Sequence, residues 1–214
     1  MNTIDIDTRI SFIMEKINHL SEKHPEFTCG KFPPQWEKPL SEKVISNYEK
    51  KHQITLPADY RRFITTIAGG GTQPFYGLFN PIKKSSNYEQ TVIEKPFPFT
   101  VKHPLSIAEF SEEEYKAYEA DEQDTNLGFL FLCHEGCGMY SILIVNSDDP
   151  DTYGTVWYYD LCNDVGIYPL IHPVTKKTMN FLDWLEYYVD RTLTLDDFDD
   201  FDFFSYGELA GIVS

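Results

Sequence analysis

The sequence predicts a single α+β domain, a mostly antiparallel or mixed β-sheet with helices packed against it. Three observations lead there. Apolar residues recur at helical spacing in the first third of the chain and again near its end. Between them lie β-rich runs joined by a glycine-containing turn, the pattern of a hairpin. The 214 residues, 42% hydrophobic and 15% aromatic, also supply a core. No apolar run approaches the roughly 20 residues that span a bilayer.

Taken in order, Ile6, Ile10, Ile13, Met14, Ile17 and Leu20 put one apolar stripe on a helix over residues 4–20. Asp5 or Asp7 caps its entry. Residues 24–39 hold Pro25, Pro33, Pro34 and Pro39 around Phe27, Phe32 and Trp36. Such a segment is no regular helix and reads as an extended arm whose aromatics pack on the domain. Ser41, Glu42, Val44, Ile45 and Tyr48 give a second helix its cap, acidic first turn and apolar face, as far as Lys51. Pro57 opens a third helix, which repeats Tyr60, Phe63, Ile64 and Ile67 on one side. Gly69-Gly70-Gly71 is expected to end it.

From Thr72 to Pro104 five prolines interrupt the chain, leaving an edge strand around Gly77–Phe79 and a long loop. Ser106–Tyr118 suits a short acidic helix. Leu127–His134 and Gly138–Asn146 form the hairpin, Ser147–Gly154 a loop of turn formers, and Thr155–Tyr159 a third strand. Phe181, Leu182, Trp184, Leu185, Tyr188 and Val189 define a last helix over residues 178–193. The expected organisation is thus a helix and proline-rich arm over 1–39, the domain over 40–192, and a tail over 193–214. That tail mixes acid pairs with Phe198, Phe201, Phe203 and Phe204, and is either docked on the domain or mobile.

Charge narrows the function. The chain carries 18 basic and 34 acidic side chains, a net of -16. The surplus is uneven: residues 1–100 hold 13 bases and 11 acids, residues 101–214 hold 5 and 23. This excludes a protein that grips nucleic acid or an anionic membrane through its own field. It fits either a solvated face or a surface for a basic protein. The opening MNTIDIDTRI places acids where an export signal carries positive charge. A cytoplasmic location with reduced thiols is therefore expected.

Motifs for chemistry fail in turn. Cys133, His134 and Cys137 lie in CHEGC, but the spacing is poor for zinc and no second ligand pair follows. These cysteines, like Cys29 and Cys162, read as free thiols buried on strands. HEGC lacks the second histidine of HExxH, because position 138 is glycine. The glycine triplet has no Lys-Ser/Thr pair after it, so it is no phosphate loop. Counted from Asp197 as a calcium loop, the tail offers Asp199 and Glu208 in place but Phe201 and Asp202 at the ligand and sharp-turn positions. A Cys137–His172–Asp160 triple is imaginable, and nothing selects it over others. The sequence therefore predicts no enzyme, no cofactor and no metal. The carboxylates of SDDPDTYG suit either a mimic of nucleic-acid phosphates or a plain turn.

A resemblance joins these pieces. LSEKVISNYEKKHQITLPADYRRFITTIAGGG, residues 40–71, resembles the opening of the SMI1/KNR4 (SUKH) superfamily through Leu56, Pro57, Asp59, Tyr60, Phe63, Gly69 and Gly70. YGLFN at 76–80 is similar to its next strand and turn. GFLFLCHEGCGMYSILIVN resembles its central hairpin, and Gly154, Val156 and Trp157 of GTVWYYD resemble its Gly-x-Val-Trp strand. Asp164, Gly166, Ile167 and Pro169, followed by Phe181, Trp184 and Leu185, resemble its last segment and helix. The likeness covers residues 40–192.

It implies a compact α+β domain in which Asp59, Tyr60, Gly69, Gly70, Trp157 and Trp184 make the fold and no catalytic residue carries over. Many bacterial members look like immunity proteins that bind and neutralise toxins, often nucleases, whereas fungal relatives are linked to cell-wall synthesis and signalling. Taken with the acidic charge, the resemblance leads to a non-enzymatic binding protein, a monomer favoured over an oligomer, whose partner is a basic toxin domain. The contact is expected at Asp148, Asp149, Asp151 and Tyr153, with Asp160 and Asp164 beside them. The alternative is a regulatory or scaffold protein of the same fold with a non-toxin partner.

Overall fold

In a computed structural model of the chain, residues 5–23, 35–83, 90–120, 125–194 and 208–209 are described, and the statements below concern those residues. Strand alternation organises them. In β2 (Phe129–Gly136), Leu130 and Leu132 face one way, Phe129 and Phe131 the other. β3 (Met139–Ile144) and β4 (Val156–Asp160) repeat the pattern, with Leu143, Val156 and Tyr158 on the first face. Ile142, Ile144, Trp157 and Tyr159 lie on the second. Both faces are buried, so each strand reads as an almost unbroken apolar run.

The sheet is antiparallel in the order β1-β5-β4-β3-β2, where β1 is Leu105–Ser106 and β5 is Gly166–Ile171. β6 (Glu208–Leu209) pairs with β5 beyond β1. The sequence reading recognised β2, β3 and β4 but left β5 without a strand assignment. Pro169 interrupts its apolar run, and proline lacks the N–H a central strand needs. In the structure Pro169 is the last β5 residue paired with β4, opposite Trp157. Beyond it Met179 takes over, accepting from the Val156 N–H at 2.8 Å and donating to the Leu170 carbonyl at 2.9 Å.

Helices α1 (Ile6–Lys23), α2 (Glu42–His52), α3 (Ala58–Thr66) and α5 (Phe181–Thr194) cover the first face. Asp5 enters α1 by accepting the Thr8 N–H at 3.0 Å. The predicted stripe of Ile10, Ile13, Ile17 and Leu20 is buried, all but Leu20 in the main core. Ser41 caps α2 through the Val44 N–H. Asn180 and Asp183 cap α5 reciprocally, side chain to backbone in each direction, at 2.8 and 3.1 Å. The second face is covered by residues 97–110 and by α4 (Glu112–Ala120), through Phe97, Leu105, Ile107, Phe110, Tyr115 and Tyr118.

Three local expectations change. Pro57 sits at the N-cap of α3, one place before its first turn, and that helix ends at Ile67 with no left-handed glycine. The triplet serves close approach instead: a side chain on Gly71 would meet the Trp36 ring at 2.5 Å, and one on Gly70 the Leu78 carbonyl at 2.9 Å. Around residues 77–79 there is an isolated bridge, Leu78 to Cys133, where an edge strand was expected. The arm over 24–34 and most of the tail lie outside the described residues, and with them Cys29 and the calcium test on Asp197 and Asp199.

Candidate protein-interaction face

The fold sorts charge by layer. α1, α2, α3 and α5 together carry nine acids and nine bases. Many of them meet. Arg9 bridges Asp183 and Glu186 at 2.7 and 2.9 Å, and Lys16 bridges Glu186 and Asp190 at 2.9 and 2.8 Å. Arg61 pairs with Glu42 and Glu49, and Arg62 with Asp7. Burial raises the Glu186 carboxyl, but hydrogen bonds from Lys16 and Arg9 outweigh it and hold the group below its ordinary value. The described residues between 105 and 171, which build strands β1–β5 and α4, instead hold 11 acids and a single base, Lys116. The α5 acids of the C-terminal half do not belong to this surplus, because Arg9 and Lys16 of α1 neutralise them.

The six residues expected at a contact do not come together. Asp148, Asp149, Asp151 and Tyr153 lie in the β3–β4 loop, at one end of the sheet, whereas Asp160 and Asp164 lie at the other, a β4 length away. β4 has five residues, at about 3.3 Å each. In the loop, Asp149 accepts the Asp151 N–H at 3.2 Å and the Thr152 hydroxyl at 2.7 Å, holding its own turn. The Tyr153 hydroxyl donates to the Thr55 carbonyl at 2.8 Å, which ties the loop to the start of α3. Asp148 and Asp151 are exposed, and Asp148 lines an open hollow of about 570 Å³ between residues 96–100 and 147–150.

At the opposite end Asp160 is 1% exposed, so it lies under the surface. It accepts from the Asn163 side chain at 2.8 Å, the Asn163 N–H at 3.1 Å and the Tyr158 hydroxyl at 3.2 Å, fixing the β4–β5 turn. Asp164 is exposed and accepts the Tyr115 hydroxyl of α4 at 3.1 Å. Beneath them is a buried polar chain: Trp184 Nε1 donates to Ser141 Oγ at 3.0 Å, and that hydroxyl donates to Glu135 Oε1. Burial pushes the Glu135 carboxyl up to about 8; the Ser141 bond opposes this and nearby Asp160 adds to it.

The cysteines divide. Cys133 is buried in the helix-side core, and burial raises its thiol, but Cys137 and Cys162 are exposed, against the expectation of buried thiols. Cys137 occupies the hairpin turn at φ +47°, and a side chain on the next residue, Gly138, would strike Cys162 Sγ at 2.6 Å. His172, at the far end of β5, is remote from Cys137 and Asp160, so that triple does not assemble. Among the described residues no group of three His, Cys, Asp or Glu side chains is placed to hold a metal ion.

A cluster the sequence reading missed stands at the hairpin end. Tyr76, 50% exposed, packs its ring edge on His134 at 5.4 Å, and His134 packs on Tyr140 at 4.8 Å. Tyr140 contacts Phe131 at 4.7 Å. The three surface rings come from two elements distant in sequence, so no local spacing announced them.

The model of the SMI1/KNR4 family, SUKH-1, matches residues 39–201, about three quarters of the chain. The chain belongs to that family. No curated protein and no solved structure matches it. In this SUKH-1 chain the family-like residues are structural. Tyr60, Phe63, Trp157 and Trp184 are each at most 1% exposed. Asp59 accepts the Tyr60 N–H at 2.8 Å and the Leu182 N–H at 3.2 Å, so one carboxylate links the starts of α3 and α5. Its burial outweighs those bonds and raises the carboxyl above its ordinary value. No helix among the described residues is long and apolar enough to cross a membrane.

Proposed function

We propose that this SUKH-1 protein is a non-catalytic binding protein that neutralises a cognate toxin by one-to-one contact, covering the toxin's active site or substrate groove. The observation that carries the reading is the layering of charge among the described residues: helices balanced at nine acids and nine bases, against 11 acids and one base between 105 and 171. Uncompensated like charge on one layer costs stability through self-repulsion, and a positively charged partner offsets that cost. The partner is accordingly a basic toxin domain, of which a nuclease is the natural case, since its substrate groove already attracts phosphates. Acids on a rigid sheet would steer such a domain in and raise the encounter rate. Membership of a family with many immunity-protein-like members supports the same reading, as does the placement of Asp148, Asp151 and Asp164 at the surface. The protein would act in the cytoplasm as a monomer.

The test is co-expression with the product of the neighbouring gene. Rescue of growth together with a stoichiometric complex is the expected result. A neighbouring product that is harmless, or that is toxic and stays unbound, would overturn the reading.

A further inference from the structure

We infer that the contact surface is the aromatic face at the hairpin end of the sheet, centred on Tyr76, His134 and Tyr140 and rimmed by Asp164 and the α4 acids, and that it takes an arginine- and lysine-rich protein surface. This rests on the reading of the chain as a binding protein, and it moves the contact from the β3–β4 loop to the opposite end of the molecule.

The backbone supplies the first argument. Phe75 sits at φ +50°, a region that bulky residues rarely occupy, and Gly77 follows at φ +116°. The Phe75 ring is buried at 1% exposure against Tyr188, 4.9 Å between centroids, and its N–H reaches the Tyr188 hydroxyl at 3.4 Å. That hydroxyl in turn donates to Gln73 Oε1 at 2.8 Å. With Phe75 held inward, the chain turns Tyr76 outward, and its N–H is fixed to the His134 carbonyl at 3.2 Å. A strained conformation held by three buried contacts, whose product is one exposed aromatic ring, points to a use for that ring.

The rings also stand on a rigid base. Tyr140 packs on Phe131 and, at 6.1 Å, on Tyr159, and both of these are 8% exposed. Tyrosines already locked by stacking lose little freedom on binding, and such side chains dominate the energetics of protein interfaces. The surroundings set the partner's charge. Tyr115 holds Asp164 at 3.1 Å, and the first turn of α4 presents Glu112, Glu113 and Glu114, all exposed. Lys116 of α4 is the only base between residues 105 and 171, and it pairs with Glu112. Aromatic faces next to carboxylates bind guanidinium and ammonium groups through the ring quadrupole and charge together. The β3–β4 loop offers less, because Asp149 and Tyr153 are bonded within the protein.

The experiment uses the full chain and a nonaarginine peptide, followed by NMR chemical shifts, with a glycine-serine peptide of equal length as control. The expected result is saturable binding of nonaarginine alone, with the largest shifts at Tyr76, His134, Tyr140, Tyr115 and Asp164. Tyr76→Ala should weaken binding about fivefold and Tyr76→Phe should retain it. Asp148→Asn with Asp151→Asn should leave it unchanged. Shifts centred on residues 147–153, an unchanged affinity in Tyr76→Ala, or no saturable binding would each overturn the assignment. No toxin is present, so a failed rescue experiment and a failed assignment of this face are read separately.

Discussion

Trp184 of α5 donates its indole N–H to Ser141 Oγ of β3 at 3.0 Å, across the interface between helix and sheet. Ser141 is itself wholly buried and passes its own proton toward Glu135. Ser141→Ala would remove the acceptor of the Trp184 indole and the donor to Glu135 at once. The expected loss is roughly 2–4 kcal/mol in denaturant unfolding; a variant as stable as the wild type would show the chain to be dispensable.

Glu135 makes stability depend on pH. Its folded value is pushed to about 8 from an ordinary 4.5, mainly by burial. An acid raised in this direction stabilises fully below its unfolded value and loses that contribution as pH rises toward the folded value. Between pH 4.5 and 8 wild type should therefore lose, relative to Glu135→Gln, on the order of 3 kcal/mol. Unfolding curves collected across that window check it, and parallel curves for the two proteins would refute it.

The α1–α5 network should be sensitive to salt. Arg9 and its partners Asp183 and Glu186 are each about 30% exposed at the side chain, so solvent screens part of the attraction. Arg9→Met is expected to cost about 1 kcal/mol at low ionic strength and clearly less near 1 M salt. A cost that salt does not change would assign Arg9 a packing role alone.

Gly128 admits no side chain. At φ +71° it lies against the Phe97 N–H, and a methyl group there would also stand 2.5 Å from the Asn146 carbonyl. Gly128→Ala should cost about 3 kcal/mol or more and reduce soluble yield. Wild-type melting behaviour would contradict the close approach.

Tyr188→Phe removes a hydroxyl that serves both Gln73 and the Phe75 N–H. Global stability should fall by about 1–2 kcal/mol. Amide exchange at residues 73–77 should quicken more than elsewhere, because that bond holds the turn. Uniform quickening would argue against a local anchor.

Local pattern made much of this fold legible. The stripe from Ile6 to Leu20, the caps at Asp5 and Ser41, and the hairpin from Leu127 to Asn146 depend on neighbours in the chain, and the structure places them as read. β5 was not assigned because Pro169 carries a local signal against strand, and only the substitution of Met179 at the β4 edge makes it harmless. The glycine triplet was misread as a helix stop because its neighbours Trp36 and Leu78 are tertiary contacts. The candidate face was illegible for the same reason: Tyr76 and His134 are 58 positions apart, and the backbone pairing of residues 76–79 with 132–134 sets them side by side. Asp160 looked like surface because aspartate usually is, and its burial follows from fixing the turn at Asn163.

Among the described residues, balanced helices backed by an acidic sheet layer form an electric dipole on top of the net negative charge. A uniform negative charge attracts a cationic protein without preference for direction, whereas a dipole also feels a torque. In the field of such a partner this protein would rotate before contact, turning the sheet side forward. Productive collisions would then become a larger fraction of all encounters, a gain in rate that needs no additional contact in the final complex.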